Sequence, residues 1–193
     1  MLFKKHDFRP DKLRSGTLNK LYITKKQRRK ALKWLLMALF LTVACVVQDA
    51  ILTRFDFWGT GIDLVAATLL LACIMQDPEY GSIFVLIASG LYSFSGSAPG
   101  YYVIALLTVI GVFFAIVRHC YLHDSFSSTF LCTAAAVLTY EMAIFGIGLF
   151  LGYIAFPRIT TQLIKAGLSL AVMPLMYPIL HAILKIGGNT WNE

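Results

Sequence analysis

The stretch KKQRRKALKWLLMALFLTVACVVQDAIL, residues 25–52, decides the fold. Its first six positions hold five Lys and Arg, and the 22 residues from Ala31 to Leu52 are then almost entirely apolar. At about 1.5 Å per residue, a helix of that length crosses a hydrocarbon core of roughly 30 Å. A basic run therefore leads directly into a first membrane span. Trp34, near the start of the span, suits an interfacial anchor. The basic stretch is longer than a secretory signal allows, and no small-residue cleavage site follows the apolar segment. The first span is therefore expected to stay in the mature protein.

Composition extends this reading to the whole chain. The 193 residues fit one domain. Of these, 58% are hydrophobic and only 14% charged, with a mean hydropathy of +0.72. A soluble domain of this size cannot hide so much apolar surface, so the excess is expected to face lipid. Charge is distributed unevenly: of 17 Lys and Arg residues, twelve lie between Lys4 and Lys33. A pI near 9.3 would suggest a nucleic-acid partner if the charge covered a folded face. Here it belongs to a tail beside a span, which favours anionic lipid headgroups and no nucleic acid. Lys25, Lys26, Arg28, Arg29 and Lys30 are the candidate lipid contacts, each worth about 1 kcal/mol near an anionic surface.

The remaining apolar segments predict an all-α integral membrane bundle of about six helices. Residues 1–30 read as a basic tail, helical at most over 18–30 where it meets the membrane. The bundle covers 31–186, and 187–193 forms a short polar end. After the first span come a loop over 53–60, a second span over 61–76 and a turn at Asp77-Pro78-Glu79. A third span over 80–94 and a break over 95–100 lead into a fourth span at 101–117. The fifth covers 126–153 and the sixth 160–184, where Pro174 and Pro178 predict kinks. Spans two and three are short for an exposed crossing and are expected inside the bundle, with neighbours covering their ends.

Gly148 and Gly152 form a G-x-x-x-G pair, which predicts close approach to a neighbouring helix. Orientation follows from the asymmetry of basic residues. With six crossings, the tail, Arg118 and Lys185 place fourteen basic residues on the cytoplasmic side. Arg54, Arg158 and Lys165 place three outside. Both termini are thus expected in the cytoplasm, with the bundle in the plasma membrane.

An ionisable residue within a span is costly and is read as functional by default. Glu141, near the centre of span five, would bond to a neighbouring backbone or hydroxyl group as a neutral acid. As a carboxylate it would need a cation or a wet cavity. Asp49 and Asp63 lie near the outer ends of spans one and two, with Arg54 close in sequence. They predict either a polar cluster that holds the first hairpin or an outward-facing binding site. His181 lies near the inner end of span six, where a helix C-terminus favours a cation. His119, His123 and Asp124 sit at a helix end without a third ligand fixed by spacing, so no metal site is expected.

The four cysteines, Cys45, Cys73, Cys120 and Cys132, are scattered through apolar segments and support neither a disulfide framework nor a zinc site. No nucleophile elbow, metalloprotease pair, phosphate loop or dinucleotide fingerprint is present. The expectation is a non-enzymatic protein without a cofactor.

Residues 48–118 resemble the MreD family of bacterial rod shape-determining membrane proteins. Members carry a glutamine late in the first span, matched by Gln48, and an aspartate at the start of the second, matched by Asp63 in Gly61-Ile62-Asp63-Leu64. Gly81 opens the third span and Gly90-Leu91 closes it, as in the family. A small-residue break and an apolar span ending in basic residues resemble 95–118. Where members often carry an aspartate after the Gly-Leu pair, this chain reads Tyr92-Ser93-Phe94-Ser95.

The resemblance implies a six-helix scaffold similar in fold to the substrate-binding components of energy-coupling factor vitamin transporters. Such a scaffold binds the bitopic protein MreC and works with the filament protein MreB. It supports the peptidoglycan polymerase and transpeptidase of cell elongation. The alternative is a substrate-capture component of such a transporter, with Asp49, Asp63, Trp58 and Tyr92 lining an outward pocket. The residues leave the oligomeric state open.

Overall fold

The structure is a computed structural model that describes residues 25–54, 60–95, 98–122 and 125–186. The described residues form six α-helices and no strand: α1 (Lys25–Ala50), α2 (Leu64–Met75), α3 (Pro78–Ser93), α4 (Tyr102–Tyr121), α5 (Phe126–Phe150) and α6 (Ile159–Ile186). Four of them, α1, α4, α5 and α6, are long and apolar enough to cross a membrane. The basic residues from Lys25 continue α1 without interruption, so the described end of the tail is helical. Residues 1–24 and 187–193 lie outside the described residues, as does Trp58.

The architecture is a ring around an axle. Helices α1, α3, α4, α5 and α6 pack in that order and close on one another, and α2 touches all five. Every residue from Leu64 to Ile74 is buried. At 12 residues α2 is about 18 Å long, shorter than a hydrocarbon core. Both its ends therefore stop inside the bundle.

The expectation that both short spans lie inside holds only for α2. Helix α3 belongs to the ring: Gly81, Phe84, Val85, Ala88, Ser89 and Tyr92 face inward, while Ile83, Leu86, Ile87 and Leu91 are exposed. Its outer face is apolar, so this 16-residue helix meets the surroundings directly along one side. Pro78 is the first residue of α3 and does not belong to a separate turn. At that position its missing N–H has no helical partner to lose.

Two glycines let the ring close on α2. A Cβ on Gly81 would lie 2.6 Å from the Cys73 carbonyl oxygen, and one on Gly111 of α4 would lie 3.3 Å from the Cys73 Sγ. Gly90, by contrast, has open space around its Cα and does not serve packing. The G-x-x-x-G pair also has another purpose. Gly152 lies beyond α5 with φ +74°, where glycine ends a helix without a Cβ penalty. The N–H groups of Tyr153 and Ile154 donate to the Gly148 carbonyl, and a Cβ on Gly148 would strike Ile154. The pair terminates α5 rather than docking it on a neighbour.

Pro174 and Pro178 stand within one continuous α6. Trp34 is half-buried against Phe84 of α3, with ring centroids 6.0 Å apart. Large apolar side chains point outward from α1 at Leu32, Leu35, Leu39, Val43 and Val46, the surface expected of a helix in lipid.

Candidate functional site

Asp63, Glu141 and Lys165 meet inside the bundle, near the end where α1 finishes and α2 begins. The site forms because α2 starts there. The first N–H groups of any helix lack partners within it, and at a buried start those partners must come from side chains. Asp63 is the N-cap, and its Oδ1 accepts from the Ala66 N–H at 3.0 Å. From α1, Gln48 Oε1 accepts from the Val65 N–H at 2.7 Å. From α6, Ser169 Oγ accepts from the Asp63 N–H at 3.0 Å.

These caps are tied to one another. Gln48 Nε2 donates to the Tyr92 hydroxyl at 3.5 Å, and that hydroxyl donates to the Asp63 carboxylate at 3.1 Å. Lys165 Nζ lies 3.6 Å from Asp63 Oδ2. The same ammonium donates to Glu141 Oε2 at 3.2 Å and lies 3.1 Å from Oε1. Gln162, one turn before Lys165, donates to Glu141 Oε2 and to the Glu141 backbone carbonyl. Asp63 is 3% and Glu141 0% exposed, whereas Lys165 keeps 22%, so the cluster reaches the surface only along the lysine. Oε1 of Glu141 and the Tyr140 hydroxyl are buried without a hydrogen-bond partner. Charge pairing and hydrogen bonding together are what two buried carboxylates require.

Glu141 thus has the cation that an intramembrane carboxylate needs, but the residue supplying it was assigned elsewhere by charge counting. Lys165, counted above among the outer-side charges, lies in the second turn of α6 and points into the bundle. The anticipated pairing of Asp49, Asp63 and Arg54 does not form as a unit. Asp49 is exposed and accepts from Ser95 Oγ at 2.9 Å, at the start of the α3–α4 break, while Asp63 is buried on Lys165. Gln162, Lys165 and Ser169, at spacings of three and four, form a polar stripe on one face of an otherwise apolar helix, and that periodicity was the available signal.

The other singled-out residues lie apart. His181 is exposed towards the far end of α6, its ring stacked on Tyr177 at 5.8 Å. His119 is exposed at the end of α4, and His123 and Asp124 lie outside the described residues. Among the described residues no group of three His, Cys, Asp or Glu could hold a metal ion. At the far end of α2, Arg118 from α4 donates to the Ile74 carbonyl at 2.6 Å. Arg28, Arg29 and Lys30 are exposed on the first turns of α1, with Lys30 Nζ 6.0 Å from the centre of the Tyr80 ring. Lys25 and Lys26 belong to the same helix.

No family model, curated protein or solved structure matches this chain.

Proposed function

We propose that the protein is an MreD-like integral scaffold of the bacterial cell-elongation machinery, without enzymatic activity. In this reading its helices cross the plasma membrane six times with both termini in the cytoplasm, and it holds an MreC-like bitopic partner. MreB and the peptidoglycan polymerase and transpeptidase act in the same assembly, and the basic start of α1 rests on anionic lipid. The supporting observation is the meeting of Gln48 and Asp63. These two side chains carry much of the resemblance, and both cap the buried start of α2, joined through Tyr92. Their shared task explains why a glutamine late in the first span and an aspartate opening the second would occur together.

The polar groups at this site bind one another, as a bundle held rigid for partners requires. The crevice beside them, between α2 and α6, is lined by Leu64, Thr68, Leu71, Ser169 and Met173 and has no room for a water molecule.

The test is affinity purification of the full-length protein from its own membranes in mild detergent, with mass spectrometry of what accompanies it. An MreC-like bitopic protein in comparable amount is the predicted result. A well-folded sample that retains no such partner would overturn the reading.

A further inference from the structure

We propose that the cluster of Asp63, Glu141 and Lys165 is a binding site for one exchangeable proton. Two carboxylates share a single ammonium, at 3.6 Å from Asp63 and 3.1 Å from Glu141. With all three ionised, the cluster bears one surplus negative charge in the interior of the bundle. An unbalanced charge in such surroundings is costly, and one proton cancels it.

Among the described residues, the groups that face the cluster do not supply another cation. From α1 come Gln48 and Cys45, from α3 Tyr92, from α5 Tyr140, and from α6 Gln162 and Ser169; Tyr102 of α4 lies near Tyr140. Asp49, the other acid near Cys45, is exposed and bonded to Ser95.

Glu141 Oε1 and the Tyr140 hydroxyl are fully buried and make no hydrogen bond, and Tyr140 lies within electrostatic reach of Asp63, Tyr92 and Glu141. Asp63 has the donors that suit a carboxylate: the Ala66 N–H, the Tyr92 hydroxyl and the N-terminus of α2. Glu141 accepts from the Gln162 amide and from the ammonium that Asp63 also claims, and has no backbone N–H or helix N-terminus, which leaves it to hold the proton. Exchange with solution runs along Lys165, the least buried member of the cluster.

This inference concerns ligand chemistry and does not depend on the scaffold reading, so either can fail alone. The experiment is an infrared pH titration of the full-length protein in detergent, following the carbonyl stretch of protonated carboxylic acids. The expected result is a band worth one carboxyl group per chain that disappears on going to alkaline pH. At neutral pH it is absent in Glu141→Gln and kept in Asp49→Asn. In parallel, the wild-type Tm falls as pH rises, and the Glu141→Gln Tm does not follow it. Should Glu141→Gln fail to fold, Asp63→Asn serves instead. It also removes the surplus charge, and it too loses the band and the pH response. No band in the wild type, or the same band in a folded Glu141→Gln or Asp63→Asn, overturns the proposal. A Tm that responds to sodium and not to pH also overturns it and assigns the site to a metal ion.

Discussion

The two ends of α2 solve one problem by different means. At the Leu64 end, three helices contribute oxygens to its opening N–H groups, and behind those oxygens lies the ion-paired cluster. At the Met75 end the closure is mainly packing. Gly81 and Gly111 bring α3 and α4 against Cys73, and one guanidinium and the Gln76 side chain serve the last carbonyls. The signs follow the helix dipole, with a carboxylate at the start and a cation at the finish. What differs is the number of partners. Lipid is as apolar as leucine, so burial alone does little to hold an apolar helix in place. Polar ties at one end and close backbone contact at the other give α2 a unique depth and rotation.

This contrast can be broken from either end. Lys165→Met would have the largest effect, because it leaves two buried carboxylates with no cation. A loss of about 3–5 kcal/mol is expected, seen as a lower Tm and a smaller monodisperse fraction in detergent. Gln48→Leu removes one cap and leaves the Val65 N–H unsatisfied, for a loss of about 1–3 kcal/mol in the same thermal assay. Gly81→Ala probes the packed end. With a Cβ 2.6 Å from a backbone oxygen, helix α3 must move away, and about 1–3 kcal/mol is lost. The same change at Gly90 meets open space and should stay within about 0.5 kcal/mol. Arg118→Met should cost about 1 kcal/mol, less than the caps at the other end, since Gln76 still serves a neighbouring carbonyl. If Arg118→Met proved as damaging as Lys165→Met, the ends would not differ in the way described.

The sequence made the first of these ends partly legible. Gln48, Asp63 and Glu141 stand out because each interrupts an apolar run, and their isolation is a physical signal. The brevity of α2 was equally visible, and it implied burial. The pairing of Lys165 was not legible because charge counting treats a cation near a span end only as a marker of orientation. Only helical register shows that Gln162, Lys165 and Ser169 share a face, and only packing shows that this face meets Asp63 and Glu141. Glycine was ambiguous for a related reason. Gly81 and Gly148 look alike in sequence, yet one admits a neighbouring helix and the other a turn of its own chain, Ile154. Which of these holds depends on where the helix ends, and Gly152 with its positive φ sets that end.

The central claim is that Glu141 and Lys165 are energetically joined in the interior and do not merely lie close together. A double-mutant cycle measures this directly, from the unfolding free energies of wild type, Glu141→Gln, Lys165→Met and the double variant in one detergent. The account predicts that the double variant is more stable than Lys165→Met alone, with a coupling of about 1–3 kcal/mol. Strictly additive losses, with the double variant the least stable of the four, would contradict it.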